Sequence, residues 1–322
     1  MRKYSWITAF LLVTILSACT ATKSREDILR QAEVIREEFL EKQPDVLAET
    51  AAAPPQVFSL PEPQPEAEQP AEAPDVAAVP VTVEVPAEPP RLPPVRNEKL
   101  YFKARYLGMT VAELTTEVVE RKYHKGVPVI VFKATGKTTD PFSKVFPIED
   151  IFISYMDEQR KRVVYREEYR SEGKYRKHSF VEFDYDKGLA FFYNDVDKTR
   201  KEIPISDQVH DPVTANYYAR TLRWQPGDTL DLQVYASEKI YDLICLIEDI
   251  DDIKTPGHGK RPALVVQPYA YINGEDAKKG RATGFFDAGG ARIPLKAVIR
   301  TPFFGSAQLI LDRIENQTFS GR

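Results

Sequence analysis

Apolar and polar positions fall into four regimes along the chain. From Trp6 to Leu16 the side chains are apolar apart from Thr8 and Thr14, and the basic pair Arg2 and Lys3 precedes them. The run is shorter than the roughly 20 residues a spanning helix needs, so it predicts a secretory signal peptide over residues 1–18. From Ser24 the period becomes helical: Ile28, Ala32, Ile35 and Phe39 recur at spacings of four, three and four. Ser24 with Asp27 fits a capping box, which ties down the first free amides of a helix, and the helix must end before Pro44. Its stripe is narrow. It suits pairing with a second copy, lying on a membrane surface or touching a following domain, and the plainest expectation is a solvated, marginally stable helix over 19–43. Between Pro44 and Pro94 no period survives.

From Asn97 the period is two. Leu100, Phe102 and Ala104 alternate with Tyr101, Lys103 and Arg105, and Lys177, Ser179, Val181 and Phe183 alternate with their own neighbours. Turn chemistry divides these runs at Lys125-Gly126, Asp186-Lys187-Gly188, Pro226-Gly227-Asp228, Asn273-Gly274 and Ala288-Gly289-Gly290. Roughly ten strands joined mainly by short turns predict an all-β domain over 97–322, a large antiparallel sheet curved into a barrel or half-barrel. One short helix interrupts it: Asp211 can cap, Pro212 suits a first helical position, and Ala215, Tyr217, Tyr218 and Leu222 follow. Such a helix either plugs the sheet or connects its halves.

Composition sharpens the third regime. Of the 25 prolines, 14 lie between Pro44 and Pro94. Residues 43–90 carry a net charge of −9, against +1 for residues 1–42 and +4 for residues 91–322. Such a segment cannot bury enough apolar surface to fold, so 44–96 is expected to be a disordered, self-repelling tether that holds the β domain away from a membrane. A surplus of four spread over the β domain is too dilute for a nucleic-acid surface. The chain has two cysteines. Cys245, inside Leu243-Ile244-Cys245-Leu246-Ile247, reads as a small buried hydrophobe, and two cysteines exclude a disulfide framework or a CxxC site.

Leu16-Ser17-Ala18-Cys19 resembles the lipobox of bacterial lipoproteins. That resemblance implies cleavage before Cys19, a diacylglyceryl group on its sulfur and an acyl chain such as palmitate on its amino group. Two or more chains hold a protein stably on a membrane. Thr20 stands where an aspartate would favour the inner membrane, so the implied address is the outer membrane, facing the periplasm. Further along, Leu100 to Met109, Ile153-Ser154-Tyr155, Glu172 to Arg176, Asp211 to Arg220, Trp224 to Asp228, Leu264 to Pro268, Arg292 to Leu295 and Pro302 to Ser306 resemble, in order and spacing, the bacterial envelope family catalogued as domain of unknown function 3108. Ala112, Phe285 and Phe286 depart from its pattern at turn and packing positions. The resemblance implies a curved antiparallel β domain at the cell envelope and no reaction.

The residues themselves offer little chemistry. No HExxH, GxSxG or phosphate-cradling glycine loop occurs, so neither a cofactor nor an enzyme is expected. His124 and His258 fall in turns and should be exposed. His210 stands beside Asp211, but Asp211 is better used as the helix cap. Glu248 to Asp252 is an acidic run without the glycine and terminal glutamate of a calcium loop, and no metal site is expected. Glu167 and Glu168 must point to opposite faces of a strand. The aromatic content, 16 tyrosines and 17 phenylalanines, suits either a filled barrel or an apolar groove. The leading expectation is a non-catalytic, lipid-anchored protein that binds a hydrophobic or envelope ligand, which requires an apolar cavity of a few hundred Å³. The alternative is an interaction module with a filled core, presented to an envelope partner.

Overall fold

The computed structural model describes residues 23–42, 97–140, 142–277, 281–301 and 305–315. The signal peptide 1–18, Cys19 and the segment 44–96 lie outside them, as do Phe303 and Phe304. Three helices are present among the described residues: α1 (Arg25–Lys42), α2 (Phe142–Val145) and α3 (Pro212–Ala219). The strands of the first half are β1 (Lys99–Tyr106), β2 (Met109–His124), β3 (Val127–Thr138), β4 (Ile148–Asp157), β5 (Val163–Glu172), β6 (Tyr175–Asp184), β7 (Leu189–Asn194) and β8 (Arg200–Pro204). Those of the second half are β9 (Val209–His210), β10 (Thr229–Ala236), β11 (Lys239–Thr255), β12 (Gly259–Ile272), β13 (Glu275–Asp276), β14 (Arg281–Asp287), β15 (Pro294–Thr301) and β16 (Gly305–Glu315).

All sixteen join one sheet in the order β8-β7-β6-β5-β4-β3-β2-β1-β16-β15-β14-β12-β11-β10-β9, with β13 beside β12. Only β9 and β10 run parallel; every other pair is antiparallel. Register shifts at Tyr101/Phe102, Ala104/Arg105, Val118/Glu120, Tyr155/Met156, Ile247/Asp249 and Phe285/Phe286 add local twist and help the sheet curl. The all-β expectation holds, and of its two forms the closed barrel does not: the ladder is open between β8 and β9. Side chains bring the edges together instead. Val163, Val181, Phe183, Ala190 and Phe192 pack with Val209 and Tyr235 across the seam. Tyr185 Oη donates to the carbonyls of Val163 (2.6 Å) and Val209 (3.3 Å), and Lys177 reaches Glu238 at 3.4 Å.

α3 fills the roll. Asp211 caps it as the sequence predicts: Thr214 N donates to Asp211 Oδ1 at 2.8 Å and Asp211 N to Thr214 Oγ1 at 2.9 Å, with Pro212 in the first turn. Val213 and Tyr217 pack toward β1–β4 and β14–β16, where Tyr217 stacks on Phe132 at 4.3 Å. Ala215 and Ala219 face β10–β12. The helix is therefore a plug rather than a connector.

Because neighbouring strands alternate in direction, the turns gather at two ends. Those after β1, β3, β5, β7, β10, β12 and β15 form one, the near end; those after β2, β4, β6, β11 and β14 form the far end. α1 begins at the near end, where Tyr271 Oη donates to the carbonyl of Lys23 at 2.7 Å. It then runs along the outside of β10–β12. Ile28 and Ala32 bury against Ile244, Leu246 and Tyr269. Arg36 reaches the Gly227 carbonyl (3.2 Å) and Asp228 (2.9 Å) at the far end. The capping box of Ser24 and Asp27 is present, Asp27 N donating to Ser24 Oγ at 3.1 Å. The solvated helix is thus corrected to a docked one: its apolar stripe is covered by an outer face of the sheet that would otherwise expose Ile244 and Leu246. The expected tether, 44–96, lies outside the described residues; the residues that flank it, Lys42 at the end of α1 and Asn97 before β1, both stand at the far end.

Candidate functional site

The interior under α3 holds an apolar cavity of about 150 Å³. Its wall includes Phe102, Leu114, Tyr217, Trp224, Leu232, Cys245, Val266 and Phe286, contributed by both halves of the sheet. Ligand pockets run to roughly 300–1,000 Å³, and an apolar cavity of about 150 Å³ admits a benzene-sized guest. The apolar cavity is thus smaller than the few hundred Å³ expected, with α3 and Trp224 in its wall; a larger hollow among the described residues, about 510 Å³, has a mixed lining that includes Lys103, Glu113, Lys133, Glu149 and Asp150 beside Phe102 and Leu114. Cys245 is buried in the wall as predicted, with burial pushing its thiol up to about 12. Tyr217 Oη is buried without a hydrogen-bond partner among the described residues, and burial, with Glu98 nearby, pushes the phenol up.

The other interior compartment is charged, and no expectation from the sequence foresaw it. On β5, Arg166, Glu168, Arg170 and Glu172 point inward at period two. Asp150 accepts from Ser171 N (3.0 Å) and Arg170 Nε (3.3 Å); Lys177 lies 3.8 Å from Glu168; Arg166 lies 3.5 Å from Asp211. Burial alone would raise Glu168, but Lys177, Arg166 and Arg170 hold its carboxyl below the usual range. Deeper still, Arg220 grips Glu98 through two bonds of 2.6 and 2.7 Å, Glu98 being fully buried. Every carboxylate here has a cation, and Ser154 Oγ donates to Asp211, the helix cap. The sequence does not mark the face of this charged run, because a polar period of two looks the same whichever side is inward.

The rings of these strands divide between the faces: Phe152, Phe183 and Phe192 point inward, and a second set points outward. Tyr155, Tyr165, Tyr169, His178, Phe180 and Tyr193 occupy the outer face of β4–β7 and pair across strands: Tyr155 with Tyr165 at 4.9 Å, Tyr169 with His178 at 4.2 Å, Phe180 with Tyr193 at 5.1 Å. No described segment packs over them, and Tyr169 is 40% exposed. Glu167 accepts from His178 at 2.8 Å and from the Tyr169 hydroxyl, and this bond pushes Tyr169 up to about 12.

The histidines divide. His124 is not in open solvent as expected but sits against Tyr155 and Tyr165 at 5.2 and 5.3 Å, with Glu182 at 3.4 Å. His258 is half-buried in the β11–β12 turn, where burial lowers its imidazole. His210 is fully buried, stacked on Tyr218 at 4.4 Å, and desolvation pushes it down to about 3. Glu167 and Glu168 face opposite sides of the sheet, as their adjacency requires. The acidic run is spread along β11, with Glu248 facing Gln31 of α1 at 3.5 Å and Asp252 paired to Lys260 at 2.8 Å.

The profile of a family described as "Protein of unknown function (DUF3108)" matches residues 100–312. No curated protein matches the chain. Among solved structures, a β-barrel-like protein of domain of unknown function DUF1849 from Brucella abortus shares 9% identity, with 69% of this chain and 98% of that chain covered and a TM-score of 0.47. A protein from Bacteroides fragilis, described as exported and of YmcC-like fold, shares 8% over 68% and 95% of the two chains, with a TM-score of 0.30. One from Parabacteroides distasonis, described as a lipoprotein, shares 10% over 69% and 97%, with a TM-score of 0.27.

Proposed function

The chain belongs to the DUF3108 family, and from that premise we propose that it is a non-catalytic envelope protein, held by lipid on Cys19 at the periplasmic side of the outer membrane, whose β domain is an interaction module. The observation that carries this reading is the outer face of β4–β7: six rings pair there with no described segment over them, while the interior is filled by a helix, paired charges and core side chains such as Phe152, Phe183 and Phe192. Tyrosine and tryptophan are enriched among the few residues that dominate binding where two proteins meet, since aromatic rings bury large areas. The interior carboxylates of β4 and β5 are paired with Arg166, Arg170 and Lys177, which supports a structural role for them. An envelope protein is the partner this reading calls for.

A second reading rests on the cavity. Its apolar wall and the buried Tyr217 hydroxyl suit one ring or a short acyl end of a small ligand. Native mass spectrometry of the full chain, extracted in mild detergent, separates the two. The interaction reading expects no non-covalent small molecule on the protein, and a photoreactive residue replacing Tyr169 should give a discrete cross-linked product in cells. A co-purified ligand that is lost when Ala215→Phe fills the cavity would favour the second reading and sink the first.

A further inference from the structure

Ten large apolar side chains are exposed among the described residues, and their distribution is uneven. Five stand at the near end: Leu107 (76% exposed) and Met109 (50%) in the β1–β2 turn, Val145 (86%) on α2, Tyr175 (48%) after the β5–β6 turn and Val196 (58%) in the β7–β8 turn. Only Tyr123 stands at the far end. Single exposed hydrophobes are ordinary on protein surfaces, but four separate connections raising apolar tips at one end of a sheet form a patterned rim. Exposed Lys144, Lys174, Arg176 and Lys239 stand among the tips, beside the acidic Asp140, Asp195 and Asp197.

The chain's own start comes off at this end. Lys23 is held there by Tyr271, and α1 is fixed to the sheet behind it by Ile28, Ala32 and Arg36. The residues from Cys19 to Lys23 reach at most about 14 Å even when extended. Glu238, in the β10–β11 turn, bonds Lys177 at 3.4 Å and Lys201 at 2.5 Å, so the β5–β6 and β7–β8 tips close the same rim across the seam.

We infer that the near end is a membrane-docking face: the tips Leu107, Met109, Val145, Tyr175 and Val196 enter the headgroup region of the bilayer that holds the lipid on Cys19. This rests on the Cys19 anchor proposed above. The bilayer is the occupant the observations select, because the tether that brings it there is too short to hold this end away from it. Apolar tips interleaved with lysine and arginine match an interface of acyl chains beneath anionic headgroups. The far end, with α1's last turn and the start of β1, then points into the periplasm.

The test uses the full lipidated chain in vesicles of phosphatidylethanolamine and phosphatidylglycerol with brominated acyl chains. A polarity-sensitive fluorophore is placed on Val145→Cys, Val196→Cys or Tyr123→Cys; buried Cys245, its thiol pushed up to about 12, does not compete. Labels at 145 and 196 should shift to the blue and be quenched several-fold, and the label at 123 should stay unquenched. Vesicle-bound protein with labels at 145 and 196 unquenched, or with 123 quenched equally, would overturn the docking face and leave the anchor standing. Protein that carries no lipid mass on Cys19 and does not co-sediment with vesicles would overturn both.

Discussion

Glu98 and Arg220 are the pair on which the most stability turns at the scale of single residues. Both are buried, and their two bonds satisfy each other. Removing one partner leaves a bare charge in the core, so Glu98→Ala is expected to cost about 3–5 kcal/mol, while Glu98→Leu with Arg220→Met together should cost much less than the two single changes summed. Urea unfolding of the wild type, Glu98→Ala, Glu98→Leu, Arg220→Met and the double variant measures both. His210 gives the domain a pH dependence. Its folded pKa of about 3 lies below the unfolded value near 6.5. Its contribution is therefore complete above pH 6.5 and is lost as pH falls toward 3, with a slope of up to about 1.4 kcal/mol per pH unit. His210→Phe should flatten the unfolding free energy over that window and leave it unchanged above pH 7. Legibility at this scale followed locality. The Asp211 cap and the opposed Glu167 and Glu168 are set within a few residues and could be read. Glu98 and Arg220 lie 122 positions apart, and nothing near either names the other.

At the scale of elements, α1 shows what a pattern can and cannot say. Ile28, Ala32 and Ile35 announced an apolar stripe but not its cover. The cover left a trace of its own: Leu243 to Ile247 is continuously apolar where a strand with one wet face would alternate. Leu243, Cys245 and Ile247 face the core, and Ile244 and Leu246 face α1. A strand buried on both sides is what such a run signifies. The contact is close enough to be tested at one glycine. A Cβ on Gly227, which has φ +86°, would lie 2.6 Å from the backbone Cα and N of Arg36. Gly227→Ala should therefore release α1, seen as fast hydrogen exchange of residues 28–42 with β11 and the core of the sheet still protected. The strand count was underestimated for a related reason: β5 carries charge on its inner face and β11 carries apolar residues on both, so neither shows the expected alternation.

For the whole molecule, both attachment points of residues 43–96 lie at the far end. Replacing 44–94 with a Gly–Ser segment of about 20 residues should change the unfolding free energy by less than about 1 kcal/mol, because loop closure depends only logarithmically on length. Vesicle binding should be equally unaffected, whereas a spacer would have shortened the distance to the bilayer. The sheet's curl was readable from the number of strands and turns, and its failure to close was not, because closure depends on whether β8 and β9 can share a ladder. They do not, so the molecule is a scroll. Its two margins are joined by the short connection 205–208, the Tyr185 bonds, the pairs that Lys177 and Lys201 make with Glu238 and a strip of packed side chains, and by no backbone rungs. A pull or a denaturant should part it along this line first, unrolling the sheet from the β8 margin with the remaining rungs intact.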